Sequence, residues 1–364
     1  MARRRVPRAV FDYVDGGAEE EVSLRRDRAA FERVEFQPRV LRDVANVNTA
    51  TTILGRPATL PLVLAPTGFT RLMHHEGEAA VARAAARVGL PYALTTMSTV
   101  SIEDVASAAG DATTWFQFYV WRDRGLSQEL VDRARAAGYH ALVLTVDVPV
   151  PGRRLRDARN GFTIPPALSA RTVLDTARHP AWWLNLLTTE PLSFASLAAG
   201  APDALASIVA DMFDPRVTFD DLAWMREAWP GPLVIKGIQS VEDARQAADL
   251  GVEAIVVSNH GGRQLDRAPT PIELLPRVAD AVADRTEVLL DTGVRTGSDV
   301  VAAVAMGAKA CLIGRAYLYG LMVGGQRGVE RAVEILSEEL IRTMQLLGVD
   351  DADDLDRSHA LLRD

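Results

Sequence analysis

Residues 254–263 read Ala-Ile-Val-Val-Ser-Asn-His-Gly-Gly-Arg, an apolar run followed directly by small and polar residues. The run predicts a strand that is buried on both faces, as strands of parallel sheets are. After it, His260 can exchange a proton near neutral pH, and Arg263 can hold a carboxylate through two parallel hydrogen bonds. A base beside a carboxylate site suits removal of a proton or a hydride from the α-carbon of an acid. On its own, His260 would more simply be a structural histidine, and Arg263 would more simply be a surface ion-pair partner.

Strands of this kind recur from Pro61 onward, each followed by an Ala-, Arg- and Glu-rich helix and a glycine. The predicted strands are Leu62–Ala65, Tyr92–Thr95, Trp115–Tyr119, Ala141–Thr145, Leu233–Lys236, Ala254–Val257, Val288–Leu290 and Ala310–Ile313. Strands that alternate with helices favour an α/β fold with right-handed crossovers, and a closed (β/α)8 TIM barrel is the simplest arrangement for eight of them. An open doubly wound sheet would need a Gly-rich fingerprint after its first strand, and Pro66-Thr67-Gly68 does not match one.

Residues 1–364 are predicted to form a single domain, in which the barrel occupies residues 61–323. The N-terminal segment, residues 1–60, is predicted to contain two helices and a hairpin. These elements are Pro7–Val14, Glu19–Val34, and Thr49–Thr52 paired with Ala58–Leu60. Residues 324–364 are predicted to form a C-terminal helix, Gly328–Leu346, and a polar tail.

The connection after the fourth strand, residues 151–216, is far longer than a barrel loop needs to be. Long connections often serve as lids or binding surfaces. Trp182 and Trp183 lie within it and could cover the site, pack against another subunit or contact lipid headgroups. A peripheral contact with a membrane is therefore one of the open alternatives.

Composition limits the classes of protein to which this chain can belong. Its 364 residues, 48% of them hydrophobic, are enough for a barrel of about 250 residues with additions. A net charge of −8 argues against a general nucleic-acid binder. The single cysteine, Cys311, excludes an internal disulfide and suits a reducing compartment. Without a secretory signal or an apolar run long enough to span a membrane, we expect a soluble cytoplasmic protein.

Each predicted strand ends in groups that can bind a ligand, and in a TIM barrel these ends meet at one face. The residues in question are Pro66, Thr67, Gly68, Thr95, Met97, Gln117, Tyr119, Thr145, Asp147, Lys236, Ser258, His260, Arg263, Asp291, Thr292, Gly293, Arg295, Gly314 and Arg315, with Arg154 beyond the fourth strand. Glycines beside Arg295 and Arg315, after the last two strands, indicate a phosphate site. An arginine that only began a helix would be disfavoured there, because the helix dipole is positive at that end.

The groups between the phosphate site and His260 are neutral and polar, apart from one lysine, Lys236. Lysine is rare in this chain, since Lys309 is the only other one, so its presence at a strand end suggests a role for a compact cation. This set suits a planar, hydrogen-bonding ring with an electron-rich edge. Flavin mononucleotide (FMN) fits both the ring and the phosphate. We expect no metal site, because no His, Asp and Glu cluster has ligand spacing.

At these positions the chain resembles the FMN-dependent 2-hydroxy acid oxidase and dehydrogenase family, which includes glycolate oxidase, lactate dehydrogenase and mandelate dehydrogenase. The resemblance extends essentially from end to end. It rests on Phe11-Asp12-Tyr13, Ala65-Pro66-Thr67, Phe116-Gln117-Phe118-Tyr119, Thr145-Val146-Asp147, Val234-Ile235-Lys236-Gly237, Gly314-Arg315 and the whole of residues 258–266. It implies oxidation of a lactate- or mandelate-like (S)-2-hydroxy acid to the 2-oxo acid, with FMN reoxidised by oxygen or a quinone. We also expect a homotetramer.

The resemblance also implies a role for each site residue. His260 would be the catalytic base, with Asp147 stabilising its protonated form and Tyr119 bonding the substrate hydroxyl. The substrate carboxylate would be bound by Arg263, Tyr13 and Arg154, and Met97 would border the substrate. Lys236 would stabilise the N1–O2 edge of the reduced flavin. The remaining cofactor contacts would come from Pro66, Thr67, Gly68, Thr95, Gln117, Thr145, Ser258, Asp291, Thr292, Gly293, Arg295, Gly314 and Arg315.

Two positions depart from the pattern of the oxidases in this family. Met97 stands where members acting on the smallest acids often have an aromatic residue, which leaves larger substrates open. Gly68 stands where oxidases resemble one another in having alanine, whereas quinone-linked dehydrogenases often have glycine. An alternative function is therefore the same flavin chemistry on a modified peptide or an amino-acid precursor. The other alternative is a flavin-free, non-catalytic barrel.

Overall fold

The computed structural model describes residues 1–161, 170–190, 192, 194–196 and 212–363. The predicted long connection, residues 151–216, therefore lies partly outside the described residues. Its described parts contain short helices, and Phe194, which lies outside these helices, is buried in the main core.

Eight parallel strands close into a barrel, which confirms the predicted fold class. In chain order the described strands are β1 (Val34–Phe36), β2 (Thr51–Ile53), β3 (Arg56–Ala58), β4 (Leu62–Leu64), β5 (Tyr92–Thr95), β6 (Thr114–Phe118), β7 (Ala141–Thr145), β8 (Leu233–Ile238), β9 (Ala254–Val257), β10 (Glu287–Asp291), β11 (Ala310–Ile313) and β12 (Ala360–Leu362). The order around the barrel is β4 to β11 in sequence, with β11 pairing with β4. The predicted barrel strands have the correct ends to within two residues.

Helices cover the outside of the barrel and extend it at both chain ends. The α-helices of the described residues are α1 (Arg8–Asp15), α2 (Val22–Glu32), α3 (Thr70–Met73), α4 (Gly77–Val88), α5 (Ile102–Ala109), α6 (Arg124–Ala136), α7 (Leu155–Arg159), α8 (Ala170–Ala177), α9 (Pro180–Leu187), α10 (Leu222–Ala228), α11 (Val241–Asp249), α12 (Pro271–Val282), α13 (Gly297–Ala305) and α14 (Arg315–Leu347). Single 3₁₀ turns occur at Ala2–Arg4, Phe219–Asp221 and Ala352–Asp354. None of these helices is long and apolar enough to cross a membrane.

The hairpin of β2 and β3 closes the amino end of the barrel, and the ends of its strands differ from the predicted ones by one or two residues. Leu54 and Gly55 form its turn with φ values of 49° and 73°, a combination that tight hairpins favour. Leu54 tolerates this conformation because its side chain is buried with Ile53 in the barrel interior. Its backbone N–H also donates to the Glu287 carboxylate. Contacts with the barrel therefore determine the turn.

The C-terminal helix begins earlier than Gly328, the predicted start. It runs from Arg315 and has non-helical backbone only at Gly324 and Gly325. The part of the helix before these two glycines buries apolar residues such as Leu318 and Leu321 in the core. Packing against the core therefore lets the helix continue across this kink. The predicted start was therefore 13 residues too late.

The first part of the N-terminal segment, which contains α1 and α2, lies over the carboxyl ends of the barrel strands. Ala18 N–H donates to the Gly262 carbonyl, and the Asp266 carboxylate accepts from the backbone N–H groups of Val22 and Ser23. Helix α2 is shorter than predicted because Glu21, before its first residue, has left-handed backbone. These contacts carry the segment to the face where TIM barrels bind their ligands.

Candidate active site

A cavity of about 240 Å³ opens at the carboxyl end of the barrel strands. Its lining includes nearly every predicted site residue: Tyr13, Pro66, Thr67, Gly68, Thr95, Met97, Gln117, Tyr119, Thr145, Arg154, Lys236, His260, Arg263, Asp291, Thr292, Gly293, Arg295, Gly314 and Arg315. Asp147 and Ser258 stand behind this lining, where Asp147 bonds His260 and Ser258 bonds Lys236. The structure thus brings the predicted residues together in one place. We call this space the substrate–flavin cavity.

His260 and Asp147 form a hydrogen-bonded pair, with 2.9 Å between Nδ1 and Oδ1. Burial alone would raise the pKa of the Asp147 carboxyl, but His260 and Lys236 together bring that pKa below its ordinary value. Asp147 is therefore ionised and accepts the Nδ1 proton of His260. With that proton on Nδ1, an imidazole that carries no second proton presents Nε2 as an acceptor, which is the arrangement a general base requires.

The backbone around His260 is held in an uncommon conformation. His260 has a φ of 60°, and Gly261 and Gly262 after it have φ values of 68° and 69°. His260 N–H donates to Ser258 Oγ, and Gly261 N–H donates to Thr292 Oγ1. Left-handed backbone at a residue with a side chain costs energy and persists where surrounding contacts impose it. These contacts fix the direction of the imidazole.

Two arginines and two tyrosines lie at the end of the cavity next to His260. The guanidinium carbons of Arg263 and Arg154 lie 5.0 Å and 5.4 Å from the centre of the Tyr13 ring. Burial, with Arg154 nearby, lowers the pKa of Arg263, as expected of cations that share a site. Burial and the charge of Asp147 raise the pKa of Tyr119, so its hydroxyl remains a donor. This end of the cavity suits a carboxylate with an adjacent hydroxyl.

Lys236 is buried and paired with Asp291, at 2.7 Å between Nζ and Oδ2. Its ammonium also donates to Ser258 Oγ at 3.1 Å. Burial alone would lower the pKa of Lys236, but the charges of Asp291 and Asp147 outweigh that effect and raise it. Lys236 therefore places a permanent positive charge in the middle of the cavity.

Arg295 and Arg315 follow the last two barrel strands and also line the cavity. Arg315 donates to the carbonyls of Val14, Gly16 and Gly261 at 2.8 to 2.9 Å. Burial and the neighbouring cations Arg263 and Arg295 lower the pKa of Arg315 to about 9. An anion between these guanidinium groups would relieve their mutual repulsion, so the donor set suits a phosphate.

Two buried polar groups of the cavity fit the remaining part of FMN. Gln117 Nε2 and Thr145 Oγ1 are both buried without a hydrogen-bond partner among the described residues. Gln117 Oε1 already accepts from Thr95 Oγ1 at 2.6 Å, which leaves the amide nitrogen for a ligand. Buried polar groups are usually hydrogen-bonded, so these groups predict a polar planar ligand. Together with Lys236 and the two arginines, they fit a flavin ring and its phosphate.

Sequence reasoning missed several residues that border the cavity. Phe69 follows Gly68 directly and packs edge-on against Tyr13, with 6.2 Å between ring centres. Its position after a predicted strand was a usable signal. Phe213 packs against Tyr119 at 5.1 Å, but it lies near the end of the long connection, where no periodicity marks it. Gln264 Oε1 accepts from Gly152 N–H and ties two loops of the rim together.

Comparison with known proteins identifies the family of this chain. The model of the FMN-dependent dehydrogenase family matches residues 2–362. A putative L-lactate dehydrogenase of Mycobacterium tuberculosis is 57% identical over 359 residues, which cover 99% of this chain and 86% of that protein. An L-lactate oxidase of a Nostoc species is 45% identical over 361 residues, covering 98% of this chain and 95% of that protein.

Solved structures agree with this result. The monotopic membrane protein (S)-mandelate dehydrogenase superposes with a TM-score of 0.96 at 37% identity, covering 100% of this chain and 97% of that one. A mandelate oxidase variant with (S)-mandelic acid gives a TM-score of 0.85 at 41% identity, covering 100% and 96%. With a cavity whose donors fit FMN, the chain belongs to the FMN-dependent dehydrogenase family and is an oxidoreductase with FMN as its cofactor.

Proposed function

We propose that this protein oxidises lactate- or mandelate-like (S)-2-hydroxy acids to 2-oxo acids, with His260 as the base. The observation that carries the proposal is the hydrogen bond between His260 and Asp147 beside a cavity that also contains Arg263. Relatives named as L-lactate and mandelate enzymes support the same substrate class.

Substrate binding depends on the cationic end of the substrate–flavin cavity. The carboxylate binds to Arg263 and Tyr13, with Arg154 supporting it from beside the same ring. Tyr119, which is protonated at neutral pH, donates to the hydroxyl. Two fixed groups on one side of the acid orient its α-carbon and hydroxyl towards His260 Nε2.

Proton removal depends on the His260–Asp147 pair. His260 Nε2 takes one proton, from the α-carbon or from the hydroxyl, and Asp147 stabilises the imidazolium that results. FMN, when bound, supplies the acceptor for the two electrons that leave the substrate. Lys236 provides a fixed cation that stabilises negative charge arising in the cavity. Oxygen or a quinone then takes the electrons, and the 2-oxo acid leaves.

A larger, specialised substrate with the same chemistry is the second candidate. Met97 supports it, because a flexible side chain borders the cavity where a rigid aromatic ring would restrict it. A non-catalytic barrel is disfavoured by family membership and by the complete set of residues around His260.

The proposal extends to a peripheral membrane contact through α9 of an otherwise cytoplasmic homotetramer. Leu184 and Leu187 of this helix are exposed. Trp182 instead points inward and donates its indole N–H to the Leu72 carbonyl, so it is a poor candidate for lipid contact. Sedimentation with lipid vesicles tests the membrane contact. The mass of the purified protein in solution tests the homotetramer.

Anaerobic reduction of the bound flavin tests the function directly. Lactate, glycolate, mandelate and longer 2-hydroxy acids are added in turn, and the loss of flavin absorbance is recorded. Bleaching by lactate or mandelate supports the proposal and ranks the substrates. Readmitting air then shows whether oxygen reoxidises the flavin. A yellow protein that no acid bleaches would contradict the proposal and favour the larger substrate.

A further inference from the structure

A second cavity, of about 350 Å³, lies next to the substrate–flavin cavity. It lies between the loops after β7 and β8 and is bordered by residues 144–149, 212–215, 217–219, 235 and 237–239. Most of these side chains are apolar, among them Val148, Met212 and Leu222. A cavity of this size is large enough for a small organic ligand. We call it the rear cavity.

The rear cavity shares part of its wall with the substrate–flavin cavity. Tyr119, Thr145 and Phe213 line both spaces. Tyr119 and Phe213 pack edge to face across this wall, with 5.1 Å between ring centres. Phe213 is only half-buried and belongs to no strand or helix, so it is the wall residue freest to move. A substrate side chain that passes Phe213 would leave one cavity and enter the other.

The catalytic pair also spans this wall. His260 borders the substrate–flavin cavity, whereas Asp147 borders the rear cavity. Gly237, with a φ of 109°, makes room for the carboxylate, because a Cβ there would lie 2.7 Å from the Asp147 side chain. The second oxygen of Asp147, Oδ2, is buried and has no hydrogen-bond partner among the described residues. A buried carboxylate oxygen left without a donor is costly.

The other carboxylates at the rear cavity already have partners. Asp214 is paired with Arg216 and Arg124, and Asp243 accepts from Ser240 Oγ. Asp147 Oδ2 is therefore the carboxylate oxygen of a residue bordering this cavity that still lacks a donor among the described residues. The lining as a whole suits an apolar body that carries one hydrogen-bond donor.

We propose that the rear cavity is an extension of the substrate site, which takes the side chain of 2-hydroxy acids whose apolar side chain carries a hydroxyl or N–H donor for Asp147. The proposal rests on the function proposed above and narrows its substrate class. The carboxylate and the reacting carbon stay at Arg263 and His260, and the distal part of the side chain lies beyond Phe213. No additional chemical step is required.

The test compares three acids: lactate, phenyllactate and the para-hydroxy derivative of phenyllactate. The rate of anaerobic flavin reduction gives kcat/KM for each. We expect the hydroxylated acid to exceed phenyllactate by about tenfold, since a hydrogen bond to a charged group is worth about 1.5–3 kcal/mol. Lactate is too short to reach the rear cavity and serves as the internal reference.

Two substitutions fill the rear cavity without touching the catalytic residues, Val217→Phe and Leu222→Phe. We expect either to lower kcat/KM for both aromatic acids by about tenfold or more and to leave lactate within about twofold. Phe213→Ala, which removes the shared wall, should raise kcat/KM for the aromatic acids. Bound FMN and unchanged lactate turnover show that the two filled variants are folded, and bound FMN shows the same for Phe213→Ala.

Equal kcat/KM for the two aromatic acids would overturn this extension of the substrate site, and so would filled variants whose kcat/KM for these acids is unchanged. If lactate is still oxidised in either case, the proposed function remains intact. A flavin that no acid reduces would overturn the proposed function, and the extension with it. The two failures are therefore distinguishable.

Discussion

Asp27 of α2 accepts a hydrogen bond from the side-chain amide of Asn259 at 2.8 Å, 232 positions further along the chain. Asn259 Oδ1 in turn accepts from Gly262 N–H, across the left-handed backbone of His260. The N-terminal segment thus helps to hold the loop after β9, which carries His260. Burial raises the pKa of Asp27 to about 7, and its second oxygen has no partner among the described residues.

Asp27→Asn should change how stability depends on pH. The folded protein holds the Asp27 proton up to about pH 7, whereas the unfolded chain releases it near 3.8, so the unfolding free energy of the wild type falls as pH rises through this interval. The variant lacks this decrease, so its stability relative to the wild type should be about 4 kcal/mol higher at pH 8 than at pH 4, because the pKa rises from 3.8 to about 7 and one pKa unit corresponds to about 1.4 kcal/mol. Denaturant titrations at several pH values measure it. The exposed Asp284→Asn is the control, and parallel curves for Asp27→Asn and wild type would contradict the role of Asp27.

His260→Ala should retain FMN but lower kcat/KM by about 10² to 10⁴-fold, the range that a positioned base contributes. The imidazole is removed without changing the donors at Gln117, Lys236 or Arg315. Flavin absorbance measures retention, and anaerobic reduction by the preferred acid measures the rate. Wild-type turnover in a yellow His260→Ala protein would exclude His260 as the base.

Asp147→Asn separates positioning from charge, because an amide oxygen can still accept from His260 Nδ1. We expect kcat/KM to fall by about 10²-fold or more, since the neutral amide no longer stabilises the imidazolium. The comparison is Asp243→Asn, which changes a carboxylate of the rear cavity that has no contact with His260. An equal loss in both variants would indicate a structural effect only.

Lys236→Met should lower the unfolding free energy by about 3–5 kcal/mol, because it leaves the buried Asp291 carboxylate without its cation. The double variant Lys236→Met with Asp291→Asn removes both charges and should recover part of this loss. Denaturant titration without added FMN measures the effect on the protein alone. A double variant no more stable than the single one would show that the ion pair is not the cause.

Gly68→Ala tests how closely the cavity wall is packed. A Cβ at Gly68 would lie 3.0 Å from the Met97 Cβ, so Met97, which borders the substrate–flavin cavity, must shift to make room. We expect the KM for phenyl-bearing acids to rise about 3- to 10-fold, with a smaller change for lactate, since overpacking costs about 1–3 kcal/mol. Adding Met97→Ala should reverse the effect. A rise in KM for lactate with no rise for the phenyl-bearing acids would contradict this account.

The barrel was predictable because its strands are continuous apolar runs and each of them ends in polar groups. Arg263, Lys236 and Arg315 follow such runs, so the position of each in the barrel followed from the fold. Asp27 and Phe213 gave no comparable signal. Each depends on a contact formed only in the folded chain, with Asn259 and with Tyr119 respectively. The small shift of the hairpin strands from their predicted bounds has the same origin, since Leu54 adopts its turn against the barrel interior.

Arg315 donates to the Val14 carbonyl, a contact between residues 301 positions apart. Arg263 likewise donates to the Tyr13 carbonyl. Closing such long loops costs entropy, which must be overcome before the contact is gained. During synthesis on the ribosome, α1 is made long before β11 and the start of α14. The phosphate site therefore cannot form until those later elements have been synthesised. Uptake of the flavin is accordingly a late event, following release of nearly the whole polypeptide.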